Sequence, residues 1–209
     1  MDKSTIQVYD QNAKAIADLH ETLIPHALHE LILQFFEPHA KTLDIGCGSG
    51  RDTAWLAHRG FDVIGMDASI GMLAEARKRH PNIMFLQEAL PNLCGIENRS
   101  YTNILCSAVL MHLVRTSLPV AAFNLMRILK PEGHLLISFR NTRQADGRED
   151  GKWYESLTPE EVITAFEQEE GVLLLRESTL EKGRNLCWHT LIICQRECLT
   201  LLPSHSKNA

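Results

Sequence analysis

The sequence predicts an α/β protein, a doubly wound and mostly parallel sheet of seven strands with the last strand antiparallel and helices on both faces. Three observations predict it. Short apolar runs alternate with segments of helical apolar spacing from residue 41 onward. The first run leads straight into a glycine-rich turn, "GCGSG" (46–50). The last two runs are linked only by a short turn near Gly183, so they should pair antiparallel.

Each element has its own signal. A leading helix is expected around 9–20. "IPHALHELILQFFE" (24–37) has helical spacing, with Pro25 tolerable in the first turn. "KTLDI" (41–45) is a strand and "DTAWLAHR" (52–59) a helix stopped by Gly60. "FDVIGMD" (61–67) is a strand ending in an acid, followed by the helix "SIGMLAEARKRH" (69–80), with Ser69 as N-cap and Pro81 as terminator. "NIMFLQ" (82–87) is the third strand, and "YTNILCSAVLMHL" (101–113) begins as a buried fourth. A helix over 115–130 is closed by Pro131 and Gly133 and leads into the strand "HLLISFR" (134–140). Thr158, Pro159 and Glu161 form a capping-box pattern at the start of the helix 158–171. Strands over 172–180 and 186–196 complete the sheet. The polar stretch 141–157 is long enough to suggest a functional lid.

Composition narrows the partners. A chain of 209 residues suits one domain and can bury roughly 70% of its unfolded surface without a metal or disulfide. The net charge of −5 offers no basic surface for a nucleic acid, and "ARKRH" (76–80) reads as the solvated end of a helix. The six cysteines form no CxxC pair and read as free, mostly buried thiols of a reducing compartment. Cys194 and Cys198 have no His partner at zinc spacing, so no metal is expected. The opening "MDKSTIQVYDQN" is polar, unlike a signal peptide, and no apolar run approaches the ~20 residues of a membrane span. A cytoplasmic protein with no membrane partner is the expectation.

The glycine turn carries the functional argument. In an open parallel sheet, ligands bind beyond the carboxyl ends of the strands, where the strand order reverses. Gly46, Gly48 and Gly50 let bare backbone approach a ligand there. A dinucleotide fingerprint would place its third glycine at Arg51, and a P-loop would need Gly-Lys-Ser/Thr; neither is present. Asp44 would repel a pyrophosphate in either case. Asp67 lies 21 residues after Gly46, a spacing that suits a carboxylate on ribose hydroxyls. Glu88 adds a third acid at the same edge. Such a site wants a ribose and a positive charge and no phosphate, which is the character of S-adenosylmethionine.

The motifs "LDIGCGSGRD", "VIGMDAS" followed by "GMLAEAR", "FLQEALP", "ILCSAVLMHL" and "LKPEGHLLIS", in that order, resemble the class I S-adenosylmethionine-dependent methyltransferases, whose sheet is Rossmann-like. The resemblance covers roughly residues 9–196. It implies that the backbone of Gly46, Cys47, Gly48 and Gly50 lines the methionine part of the cofactor and that Asp44 addresses its ammonium. It implies further that Asp67 binds the ribose, Ala68 and Met72 line the adenine pocket, and Glu88 and Ala89 stand near the adenine amine. Ser107 and Ala108 would line the floor beside the methionine, and Tyr9 would close over the cofactor. Arg51 either pairs the cofactor carboxylate or is a solvated arginine at a helix start. The family often has Asp where Asn103 stands, a position read as structural. Residues 1–40 would form a helical cap over the cofactor site, 41–198 the methyltransferase domain, and 199–209 a fraying tail.

Methyl transfer from a sulfonium requires alignment and exclusion of water, and a hydroxyl acceptor may also require a base. His112 is the nearest candidate base or substrate contact; the alternative is a histidine that fixes its loop. Arg140, Asn141 and Arg143 could clamp an anionic acceptor or be ordinary loop residues, and Trp153 and Tyr154 could form an aromatic wall. His26, His29 and His39 read as surface groups. No Asp/Asn-Pro-Pro-aromatic motif for a flipped base follows the fourth strand. The expected activity is therefore methyl transfer to a small molecule; the alternatives are a protein or RNA acceptor, or a nucleoside-binding module without turnover.

Overall fold

The computed structural model describes residues 1–142, 147–181, 183 and 186–196. The chain opens on two helices, α1 (Lys3–Gln11) and α2 (Ala13–Glu21), where one helix over 9–20 was expected. Helix α1 starts early because Asp2 caps it, accepting from the Thr5 amide at 2.9 Å. The break falls at Asn12, whose side-chain amide donates to Val8 O at 2.9 Å and competes with the helical ladder. Helix α3 (His26–Phe35) begins directly after Pro25.

The sheet and its crossovers follow. Strand β1 (Lys41–Ile45) leads through the glycine turn into α4 (Arg51–His58), which ends before Gly60 at φ 83°. Strand β2 (Asp62–Asp67) leads into α5 (Ile70–Arg79), where the Ser69 side chain accepts from Met72 N. Then come β3 (Met84–Gln87), β4 (Tyr101–Ser107), α6 (Leu118–Ile128) and β5 (Leu129–Arg140). Helix α6 is shorter than the sequence implied, because Arg115–Ser117 forms a separate tight turn and the strand already begins at Leu129. Pro131 and Gly133 therefore belong to the irregular start of β5. Gly133 is required there, since a Cβ would stand 2.4 Å from Thr102 O on β4.

A two-strand hairpin, β6 (Arg148–Glu149) and β7 (Lys152–Trp153), occupies part of the stretch expected to be irregular. It is followed by α7 (Pro159–Glu167), with the complete capping box at Thr158 and Glu161, and by β8 (Gly171–Glu181) and β9 (Leu186–Gln195). The tail expected to fray lies outside the described residues.

The seven-stranded sheet has the order β3-β2-β1-β4-β5-β9-β8. Only β9 runs against its neighbours. Crossovers run outward in one direction from β1 to β2 and β3, and in the other from β4 to β5, so the order reverses between β1 and β4. One face is sealed by Leu43, Ile104, Leu125, Ile137 and Phe166, all essentially buried; the other packs α3 and α4 through Ile32, Leu56, Leu105 and Leu136. Asn103 is a structural clamp. Its side chain accepts from Glu37 N at 3.0 Å and donates to Glu37 O and Thr42 Oγ1, tying the segment after α3 to β4 and β1.

Candidate functional site

The site lies beyond the carboxyl ends of β1, β2 and β4, where the topology opens a crevice. The turn after β1 is folded by its glycines. Gly46, Gly48 and Gly50 have φ of 70°, 55° and 82°, a region that side chains rarely adopt. Gly46 is also forced by proximity, since a Cβ would stand 2.2 Å from Val109 Cγ2 in the turn after β4. The amides of Gly46 and Cys47 both donate to Met66 O, which pins the turn to the end of β2.

The acids sit on this framework. Asp44, 2% exposed, accepts from Thr53 Oγ1 at 2.6 Å. Burial, and then the charge of Asp52, push its carboxyl up to about 7. Asp67 accepts from Gly48 N at 2.9 Å and Ser69 N at 2.8 Å, one bond on each oxygen. Burial raises its pKa above the ordinary carboxylate value against the pull of those amides. Each oxygen retains a lone pair for a further donor. Burial likewise pushes the Cys47 thiol up. Glu88 donates its amide to Asp67 O, and its carboxylate folds back onto Ala89 N at 2.9 Å. Ala68 accepts from the Gln87 side chain through its carbonyl.

Helices α1 and α2 lie against this edge. Asp10 accepts from Ser69 Oγ at 2.6 Å and Gly71 N at 2.9 Å, and Arg79 pairs with Asp18 at 2.7 Å. Ser49 in the glycine turn donates to Glu21 at 2.8 Å. Met72 is buried against Ala13 and Ala17, with Tyr9 packed alongside. Arg51 is not the freely solvated arginine that its place at a helix start allowed. Its guanidinium is held by Asp52 and by the carbonyls of His20 and Leu23, which fastens the end of α2 to α4. His29 is another correction. It is buried, bonds Asp52 at 3.0 Å and stacks on Trp55, because the inner stripe of α3 faces α4.

The β4 side is built differently. Ala108 has φ 60°, its amide donates to Ser138 O, and Ser107 Oγ lies 2.8 Å from Ser138 Oγ, which draws the floor towards β5. His112 is 3% exposed. Its Nδ1 is 2.6 Å from Trp153 O and its Nε2 is 3.3 Å from Tyr9 Oη. Burial pushes its pKa down to about 4, so the ring is neutral. Arg140 and Glu149 form a buried bidentate pair at 2.8 and 3.2 Å, and the guanidinium lies 3.9 Å over the Tyr154 ring. Asn141 bonds Cys187 on β9 through both backbone and side chain.

The structure thus gathers Tyr9, Asp44, the glycine turn, Asp67, Met72, Ser107, Ala108 and His112 around one edge, with Trp153 and Tyr154 against His112. Arg140 is internally neutralised and Asn141 turns to β9, so neither presents an open clamp. Arg143 lies outside the described residues. Among the described residues, the buried indole N–H of Trp153 has no acceptor. Sequence reasoning missed Asp10, Thr53 and Glu149. Each partners a group far along the chain or on another element, and only the position of Asp10 beside Tyr9 gave a local signal.

Residues 42–133 match a family model described as a methyltransferase domain. A ubiquinone biosynthesis O-methyltransferase of Acinetobacter baylyi is 28% identical over 153 residues, 68% of this chain and 63% of the relative. The 1,6-didemethyltoxoflavin-N1-methyltransferase of Burkholderia thailandensis, solved with S-adenosylhomocysteine, superposes with a TM-score of 0.72 at 18% identity, over 92% of this chain and 87% of its own. The cyclase SpnF has the same fold, with a TM-score of 0.63 at 15% identity over 81% of this chain and 80% of its own. The chain spans about half the length of other curated relatives that it matches, 56% and 44% for two of them.

Topology and crevice define a Rossmann-like α/β protein with its site at the β1–β4 reversal. The fold is the one seen in S-adenosylmethionine-dependent methyltransferases, and the methyltransferase-domain match over residues 42–133 covers the strands and turns that build the crevice.

Proposed function

We infer that this chain is an S-adenosylmethionine-dependent methyltransferase acting on a small molecule in the cytoplasm. One observation carries the reading: two acids, the buried Asp44 and the half-buried Asp67, stand beside bare glycine backbone with their pKa values raised. Carboxyls in that state gain from a cationic ligand and are repelled by a phosphorylated one. S-adenosylmethionine fits this donor set, and when bound it supplies a methyl group on a sulfonium with an activated leaving group.

The roles of the chain's own residues follow. Asp67 keeps lone pairs for the ribose hydroxyls, and the glycine turn presents backbone to the methionine part. Asp44 offers its negative charge from beneath the turn, and Met72 and Ala68 line the adenine side with Glu88 and Ala89 at its edge. Residues 1–40 act as the cap and 41–198 as the catalytic body. Ser107 and Ala108 hold the floor, while Tyr9 closes over the cofactor and faces the acceptor, backed by His112, Trp153 and Tyr154, which help exclude water.

A small acceptor is supported by the relative and the structural neighbour whose names carry ubiquinone biosynthesis and toxoflavin substrates. The free cysteines among the described residues agree with a reducing compartment, and no described helix is long and apolar enough to cross a membrane. Calorimetry with S-adenosylmethionine, S-adenosylhomocysteine and NAD tests the cofactor. A radiolabelled methyl assay on fractionated cell extract then tests turnover. The reading predicts uptake of the first two ligands and label in a low-mass fraction. Label in protein or RNA would change the acceptor class, and uptake without label would point to a binding module.

A further inference from the structure

We propose that the acceptor is a hydroxyl compound whose proton leaves through Tyr9 Oη to His112 Nε2, so that Tyr9, not His112, is the group that touches it. This inference rests on the methyl-transfer reading above. Three features of the geometry lead to it.

The tautomer of His112 is fixed. Its Nδ1 lies 2.6 Å from Trp153 O, and a carbonyl only accepts, so Nδ1 carries the proton and Nε2 carries the lone pair. That lone pair faces Tyr9 Oη at 3.3 Å, so the phenol donates to it. The ring is shut in by Tyr154 at 4.7 Å and Tyr9 at 5.8 Å between centroids. An acceptor therefore meets the lone pairs of Tyr9 Oη before it can meet His112.

Tyr9 also spans the crevice. Its side chain packs against the cluster of Ala13, Ala17 and Met72 that joins α2 to α5, and its hydroxyl reaches the turn after β4. The hydroxyl thus stands between the cofactor half of the edge and the acceptor half. The hairpin closes the arrangement from outside, since Trp153 N donates to Thr5 Oγ1 on α1 and Trp153 O holds His112.

The charged surroundings suit a proton sink that is never occupied early. Lys152 and Arg140 face His112 and disfavour its cation, while Asp2 acts weakly the other way. Lys152 Nζ also lies 5.3 Å over the Tyr9 ring. Burial, with Tyr154 and Asp67 nearby, raises the Tyr9 hydroxyl far above its usual value, so Tyr9 passes a proton on and does not lose one outright. A weak base is enough. As the carbon–oxygen bond forms, the acceptor oxygen becomes an oxonium, a much stronger acid than an imidazolium. A methylated amine leaves an ammonium, too weak an acid to pass its proton to so weak a base, which is why the arrangement favours a hydroxyl.

The step balances. An oxygen lone pair bonds the methyl carbon while the carbon–sulfur pair withdraws to sulfur and leaves a thioether. The acceptor proton passes to Tyr9 Oη as Tyr9's own proton passes to His112 Nε2. Once the product leaves, the imidazolium returns its proton from Nε2 to Tyr9 Oη as Tyr9 gives its other proton to water entering the crevice.

The test uses the whole chain, labelled with 15N-histidine and saturated with S-adenosylhomocysteine, between about pH 5.5 and 8. His112 should remain neutral with Nδ1 protonated throughout, and Tyr9→Phe should move its Nε2 resonance. His112→Gln keeps an acceptor for the Tyr9 hydroxyl but removes the basic nitrogen. Its turnover on the extract fraction that the wild type labels should fall about 100-fold at saturating cofactor, with S-adenosylhomocysteine affinity held within about threefold. A protonated or Nε2–H imidazole, an Nε2 resonance indifferent to Tyr9→Phe, or full turnover by His112→Gln would overturn the relay alone. Failure to take up S-adenosylhomocysteine would overturn the methyl-transfer reading and the relay together.

Discussion

Beyond β1 and β2 the carboxyls of the buried Asp44 and the half-buried Asp67 receive, among the described residues, a hydroxyl and backbone amides, and burial lifts their pKa values. Beyond β4 and β5 the buried Glu149 is matched by a guanidinium, and the buried imidazole of His112 is already neutral. The first half holds negative charge that a ligand can satisfy; the second satisfies itself. A crevice with one half of each kind can bind a cation tightly and still keep the geometry of its far wall.

Glu149→Ala should produce the largest loss of stability. It leaves Arg140 buried without its carboxylate, at a cost of about 3–5 kcal/mol in chemical denaturation, whereas replacing both residues with Met and Leu should restore most of it. If the single variant is as stable as wild type, the second half is not self-satisfied. Asp67→Ala should weaken S-adenosylmethionine binding by roughly 10- to 100-fold by calorimetry, since it removes charge-assisted hydrogen bonds.

Asp44→Asn separates the halves by pH. The Asp44 pKa is raised from 3.8 to about 7, so the folded state holds an extra proton in that window and Asp44 lowers stability as pH rises through it. His112 is lowered from 6.5 to about 4, so the unfolded state holds the extra proton and His112 adds stability as pH rises from 4 to 6.5. The two contributions oppose each other between about pH 4 and 6.5. In Asp44→Asn the His112 slope should appear alone, and the ligand-free protein should gain on the order of 1–3 kcal/mol at about pH 8 by thermal melts. An unchanged pH profile would remove Asp44 from the account. Thr158→Ala, away from the crevice, should cost about 1 kcal/mol and leave cofactor affinity unchanged, which calibrates the others.

The first half was readable because its chemistry is local. A strand ending in a glycine turn, and an acid at the end of the next strand, sit close together in sequence and meet again through parallel pairing of β1 with β2. Ser69 and the capping box at Thr158 are equally local. The second half depends on partners that no spacing rule supplies. Arg140 offers five donors to any acid, and only the fold selects Glu149 on the hairpin. His29 read as a surface group because helical spacing gave no hint that Asp52 and Trp55 of α4 would receive it. Asn12 broke the leading helix through a side-chain bond that competes with helical propensity rather than adding to it.

The most direct measurement is calorimetric titration with S-adenosylmethionine at about pH 5.5 and about pH 7, with NAD as the comparison ligand. A cation drawn to Asp44 must lower its pKa, so binding should release protons and tighten by roughly tenfold between those two values, while NAD gives no heat. No uptake, uptake indifferent to pH, or a preference for NAD would contradict the acid-lined crevice.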